Sequence, residues 1–217
     1  AKAYGQYVAR FAQPLEPAIE ARWRMAALFK ADGQAAREFA LMQDILRADL
    51  GGGDARSPRT RYLAGMASLA LAAPAFEAYR KVELVEPLAR QLKLKKARLE
   101  EVLKAYALAA DYGVAEVSTA ATYQVASLYQ DFGHALMNSQ RPKKLSKKEL
   151  EQYDLMLEEQ AFPFEEKAIE LHEVNARRVR EGLYDDWVKK SFAALRELKP
   201  ARYAKNERVE GAVDAIR

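Results

Sequence analysis

Residues Leu157 to Arg178, LEEQAFPFEEKAIELHEVNARR, gather six glutamates and His172, one of the chain's two histidines. Carboxylates and imidazoles bind iron, manganese and zinc, and they are common acid–base groups. On a helix such a site needs its groups three or four residues apart on one face. At those offsets from His172 stand Ala168, Ile169, Asn175 and Ala176, none of them a usual ligand. Glu165 lies two turns away, and Glu173 points elsewhere. HEVNA lacks the second histidine of the zinc-protease pattern. Ile169 occupies the position where a Glu-x-x-His di-iron motif needs glutamate.

The spacing therefore favours a packed, hydrogen-bonded His172 over a ligand. Glu165 and Glu166 are expected in the first turn of a helix starting at Pro163, where negative charge complements the helix dipole by ~0.3–1 kcal/mol each. Glu173 and Arg177 are expected to pair along one face. A metal-binding protein or enzyme built on this Glu-rich helix stands as the alternative.

Other chemistries find less support. The chain has no cysteine, so thiol nucleophiles, thiolate metal sites and disulfides are excluded. Gly51-Gly52-Gly53 lacks the lysine–serine that follows in a phosphate-binding loop. The run RPKKLSKK, Arg141 to Lys148, has no interleaved aromatics to stack on bases, so it reads as a solvated loop and first helical turn. Nucleic acid is thus the weaker partner class. His134 has no partner in view and reads as a surface or turn residue. No cofactor is expected.

The 217 residues are half apolar and 30% charged, long enough for a substantial core. Lysines and arginines number 35 against 31 acids, a net charge of +4. Such interleaving suits a salt-bridged helical surface better than a polyanion binder. No run approaches a membrane span. The chain starts at Ala1 without methionine, so the missing signal peptide says nothing of compartment, and the chain can be a piece of a longer protein.

Nearly every segment has helical period and none shows sustained strand alternation. A short helix to about Gln13 precedes the Pro14–Pro17 break. Helices are expected at about 18–30 and 35–49, with 50–58 a flexible glycine loop. Ser57-Pro58 starts the next helix, which reaches Ala73. Others are expected at 88–111, 115–137 and 185–199. Ser146 to Glu149 has capping-box spacing, so a helix starts at Lys147, and Pro163 interrupts it and seeds another that closes at Gly182. Residues 200–217 read as a weakly helical C-terminal tail.

Antiparallel helices with alanines at close approaches invite a search for repeats. Met25-Ala26 and Phe29 before Gly33 fit the first-helix half of the tetratricopeptide pattern. So do Val125-Ala126 and Tyr129 before Gly133, and more loosely His172, Asn175-Ala176 and Val179 before Gly182. Val102, Tyr106, Ala109 and Val188, Phe192, Leu195 with Pro200 fit the second half. The expected fold is all-α: a single degenerate TPR-like domain over 1–217, a right-handed superhelical stack of antiparallel hairpins. RTRYLAGMASLALA, DYGVAEVSTAATYQVASLYQDFG, LEEQAFPFEEKAIELHE and DDWVKKSFAALRELKPARY resemble a family of Gram-negative tetratricopeptide proteins. These are similar to proteins linked to gliding motility and to TonB/ExbB/ExbD-type envelope systems. The resemblance implies a non-catalytic scaffold for a protein or peptide partner, periplasmic or envelope-associated, with the cytoplasm left open.

In such a stack first helices line a concave face. The residues projecting there are Glu20, Trp23, Ala27 and Lys30, then Ala120, Tyr123, Ser127 and Gln130, then Glu170, Glu173, Arg177 and Arg180. Trp23 and Tyr123 supply apolar anchors, and Arg177 and Arg180 can hold a carboxylate of an extended ligand.

Overall fold

The computed structural model describes residues 2–11 and 13–205, whose regular structure is all helical, with no strand among them. In order the helices are α1 (Lys2–Arg10), α2 (Leu15–Ala31), α3 (Ala35–Leu50), α4 (Pro58–Leu71) and α5 (Ala73–Arg80). They continue with α6 (Leu88–Ala110), α7 (Ala115–Met137), α8 (Lys147–Arg177), α9 (Asp186–Leu198) and the single turn α10 (Pro200–Tyr203). Of the expected tail, 206–217 lies outside the described residues.

Local chemistry sets most boundaries. Ser57 Oγ accepts from Thr60 N at 3.1 Å while Thr60 Oγ1 accepts from Ser57 N at 3.0 Å, so both orphan donors at the start of α4 are satisfied. Ser146 and Glu149 make the same reciprocal cap on α8, with Ser146 N donating to Glu149 Oε2 at 2.8 Å. Gly33 and Gly113 leave their helices at φ +70° and +65°, a conformation that side chains disfavour.

Two apolar clusters form the core. Ile19, Ala26, Ile45, Leu63 and Ala67 join α2, α3 and α4. Tyr79, Val102, Leu128, Phe132 and Leu136 join α5, α6 and α7, with Phe164 of α8 packed against them. The clusters meet where α4 approaches α7: a Cβ on Gly65 would lie 3.0 Å from Val117 Cγ2. A glycine there lets the two helices touch.

Three expectations are corrected, and the mostly exposed 50–58 segment shows local order. Gly53–Ala55 forms one 3-10 turn, and a Cβ on Gly52 would fall 2.4 Å from Leu15 Cδ2. Pro163 does not break α8, which runs 31 residues through it. Proline removes one backbone donor there, and both Pro163 and Glu159, whose carbonyl it leaves unpaired within the helix, are exposed. Glu165 and Glu166 consequently stand in mid-helix, away from any N-terminal dipole. Gly133, matched to a repeat turn, is buried inside α7, where a Cβ would lie 3.5 Å from Ala161 O of α8. It serves close packing between helices, and the chain does not turn there.

Candidate functional site

His172 is fully buried on α8, with Nδ1 3.3 Å from Ser191 Oγ of α9. Asn175, one turn on, donates to Ser191 Oγ at 2.9 Å and to Thr119 O of α7 at 3.0 Å. Arg178 donates to Asn175 Oδ1 and to Thr122 Oγ1. Thr119 donates to Asp185 Oδ2, and the other oxygen of Asp185 caps α9 through the amides of Trp187 and Val188. These residues form a buried polar seam tying α7, α8 and α9 together. Since Ser191 already accepts from Asn175, its own proton is free to go to Nδ1.

Burial lowers the His172 pKa from 6.5 to about 4, so the ring is neutral at physiological pH. Nε2 has no hydrogen-bond partner, and the ring packs 5.5 Å from the Tyr123 ring. Among the described residues no three or more His, Asp or Glu side chains come close enough to hold a metal. The seam is packing, with neither a reachable nucleophile nor a carboxylate beside the imidazole.

Chemistry open to solvent lies one face away. Glu173, Arg177 and Arg180 line a groove of about 490 Å³ with Phe192 of α9 and with Arg202 and Tyr203 of α10. The expected Glu173–Arg177 pair does not form. Glu173 Oε1 instead accepts from Lys199 Nζ at 3.0 Å, Tyr203 Oη at 3.3 Å and Arg202 Nη1 at 3.4 Å. Those partners are 26 to 30 residues away in sequence, and together they dock α10 on α8. The Lys199 hydrogen bond foremost, against a smaller burial penalty, holds the Glu173 carboxyl below its usual range. With that carboxylate neutralised, Arg177 and Arg180 are exposed and make no ion pair with a described residue. The groove therefore carries surplus positive charge beside an apolar wall of Val179 and Phe192.

The other candidates lie elsewhere. Glu20 pairs with Arg59 of α4 at 3.0 Å and lines a separate hollow between α1 and α2 with Tyr4 and Arg24. Trp23 packs half-buried on the α2–α4 cluster, and Lys30 lies 3.9 Å from Glu38 Oε1. Tyr123 is half-buried, wedged between His172 and Trp187, both 5.5 Å away by ring centroids. Gln130 is half-buried on α7, and Glu170 pairs with Lys167 at 2.7 Å. Within the basic run, Arg141 is tied to Asp154 at 2.6 Å and to the carbonyls of Met137 and Ser139. It staples the α7–α8 connection and offers no free phosphate contact. His134 is exposed on the last turns of α7.

Sequence spacing misses Arg202 and Tyr203, because their place beside Arg177 depends on the α9–α10 turn at Pro200. Phe192 fits the repeat pattern as a packing residue, and here it packs edge-on between the rings of Tyr184 and Tyr203 and forms part of the groove wall.

No protein-family model, curated protein or solved structure matches this chain. No helix among the described residues is long and apolar enough to cross a membrane.

Proposed function

We propose that the protein is a non-catalytic helical scaffold that binds an acidic, extended segment of a protein partner in the groove formed by α8, α9 and α10. The observation that carries this reading is the arrangement of Arg177, Arg180 and Arg202 around one groove whose single carboxylate, Glu173, is already neutralised. Guanidinium groups bind carboxylates in paired hydrogen bonds, and a flanking aromatic such as Phe192 gives an apolar side chain somewhere to rest. In this reading the helical hairpins stack in the right-handed tetratricopeptide sense, and the setting is a bacterial envelope assembly for motility or energy transduction. Fold sense and setting rest on the sequence resemblance alone.

Fluorescence anisotropy with a labelled Glu/Leu-rich peptide, and a Lys/Leu-rich peptide of equal length, tests the groove. The acidic peptide should bind preferentially, weaken with salt, and lose at least tenfold in affinity to an Arg177→Glu/Arg180→Glu variant. Equal binding of both peptides, or an unchanged variant, would remove the groove from consideration.

A further inference from the structure

Away from the arginine groove, Lys95 of α6 is buried to 4% exposure, yet it lines two adjoining hollows of about 470 and 270 Å³. The hollows are bounded by α5, the 81–87 connection, α6 and α7, and Arg80, Ala135 and Asn138 border both. Lys95 Nζ donates to Val82 O at 3.1 Å, lies over the Tyr79 ring at 4.2 Å, and stands 3.9 Å from Asp131 Oδ2. The last distance is an ion-pair contact longer than a hydrogen bond. An ammonium has three donors, and the Val82 carbonyl takes one.

The Val82 bond ties the connection to α6, and the Tyr79 ring and Asp131 flank the ammonium. The surroundings offer more. Arg80 faces the hollows from α5, Glu83 from the connection, and Asp131 and His134 from α7. The buried Tyr79 hydroxyl has no hydrogen-bond partner. It is held protonated by burial first and by the Asp131 charge second. Burial draws the Lys95 pKa below its ordinary value, with Asp131 opposing. A desolvated amine of this kind is a nucleophile toward carbonyl groups.

We propose that this cleft is a reversible covalent site for a small carbonyl compound bearing a carboxylate, such as an α-keto acid, which condenses with Lys95. The neutral Nζ adds to the carbonyl carbon and forms a carbon–nitrogen bond. The carbinolamine then loses its hydroxyl as water to leave a protonated imine, so amine plus carbonyl gives imine plus water with no oxidant or reductant. Through one bridging water, Asp131, 3.9 Å away, accepts the proton that the ammonium must shed and returns it to the departing hydroxyl. Arg80 faces the substrate carboxylate. Hydrolysis reverses the reaction.

The test uses the intact protein with pyruvate and cyanoborohydride near neutral pH, followed by peptide mass spectrometry to locate reduced adducts. Lys95 should be labelled at least tenfold faster than exposed Lys96, Lys147 and Lys148. Acetaldehyde, lacking the carboxylate, should show no such preference, and Arg80→Gln should abolish the preference for pyruvate. The rate should also rise with pH through a midpoint below the ordinary lysine value of 10.5. Labelling of Lys95 no faster than that of the exposed lysines would overturn the site, and equal labelling by both probes would overturn the carboxylate specificity. The Lys95 comparison is read site by site on the unmutated chain, so a poorly folding Arg80→Gln protein cannot obscure it, and a folded variant that keeps the pyruvate preference would remove Arg80 from the site.

Discussion

His172 Nδ1 lies 3.3 Å from Ser191 Oγ across the α8–α9 interface, with no ring surface left for water. Desolvation brings its pKa down from 6.5 to about 4. Between those values the unfolded chain binds a proton that the folded chain does not, so stability falls as pH falls. The loss reaches about 2 kcal/mol at pH 5 and about 3 kcal/mol near pH 4. His172→Gln keeps a polar group for Ser191 and removes the titration. Urea unfolding at pH 7 and pH 5 should show the variant losing about 2 kcal/mol less than the parent. Equal losses would assign acid sensitivity to other groups.

Asp185 serves two elements at once, accepting from Thr119 on α7 and from the Trp187 and Val188 amides that open α9. Asp185→Ala removes the cap, at about 0.5–2 kcal/mol, and also leaves the Thr119 hydroxyl without its acid. Asp185→Asn keeps an oxygen for the cap. Denaturant midpoints should therefore rank parent, then Asn, then Ala, and the Ala protein should open α9 first by amide exchange.

How much of this could be read from the sequence depended on how far apart the partners stood. Ser57 with Thr60, Ser146 with Glu149, and the glycines after α2 and α6 act within one turn, and these boundaries fall where local chemistry puts them. His172 is also legible, since its neighbours at three and four residues leave it only a packing role. Pro163 misleads, because local propensity marks a break while packing of α8 along α7 holds the helix together. Glu173 misleads in the opposite way: Arg177 is nearer in sequence, but Lys199 and Tyr203 arrive from the other side of a turn. Lys95 gives no signal at all. It sits in the basic run KLKK beside Lys96, and only the fold buries one of the two.

Pro163 supplies a third prediction. It cannot donate to Glu159 O, and both residues face solvent on α8. Pro163→Ala restores one helical hydrogen bond and a favourable residue, so thermal stability should rise, by as much as ~3 kcal/mol. A fall would mean that the proline sets the packing of α8 on α7, where Gly133 approaches Ala161 O.

Gly52 and Gly51 adjoin but tolerate substitution differently. A Cβ on Gly52 would overlap Leu15 Cδ2 at 2.4 Å, whereas on Gly51 it meets only Arg47 O at 3.3 Å. Leu15 is buried in the α2–α4 cluster and has little room to retreat. Gly52→Ala should destabilise by roughly 1–3 kcal/mol, as overpacking does. Gly51→Ala, at a helical φ of −83°, should fall within about 0.5 kcal/mol of the parent.

Asp49 is fully buried, and its Oδ2 accepts from Arg56 Nη2 at 2.7 Å and Nε at 3.0 Å. Arg56 remains partly exposed, so the two ends of the pair are unequal. Removing the arginine leaves a carboxylate in the interior beside Tyr112, whose hydroxyl burial and the Asp49 charge push up to about 12. Arg56→Met should therefore cost about 3–5 kcal/mol. Asp49→Asn leaves a neutral amide that still accepts from the guanidinium, and it should cost about 1–2 kcal/mol. With the charge gone, adding Arg56→Met to Asp49→Asn should cost far less than in the parent. A double-mutant cycle by urea unfolding reads that coupling directly. Additive losses would mean that Arg56 stabilises the turn by packing on Gly52, and that its charge contributes little.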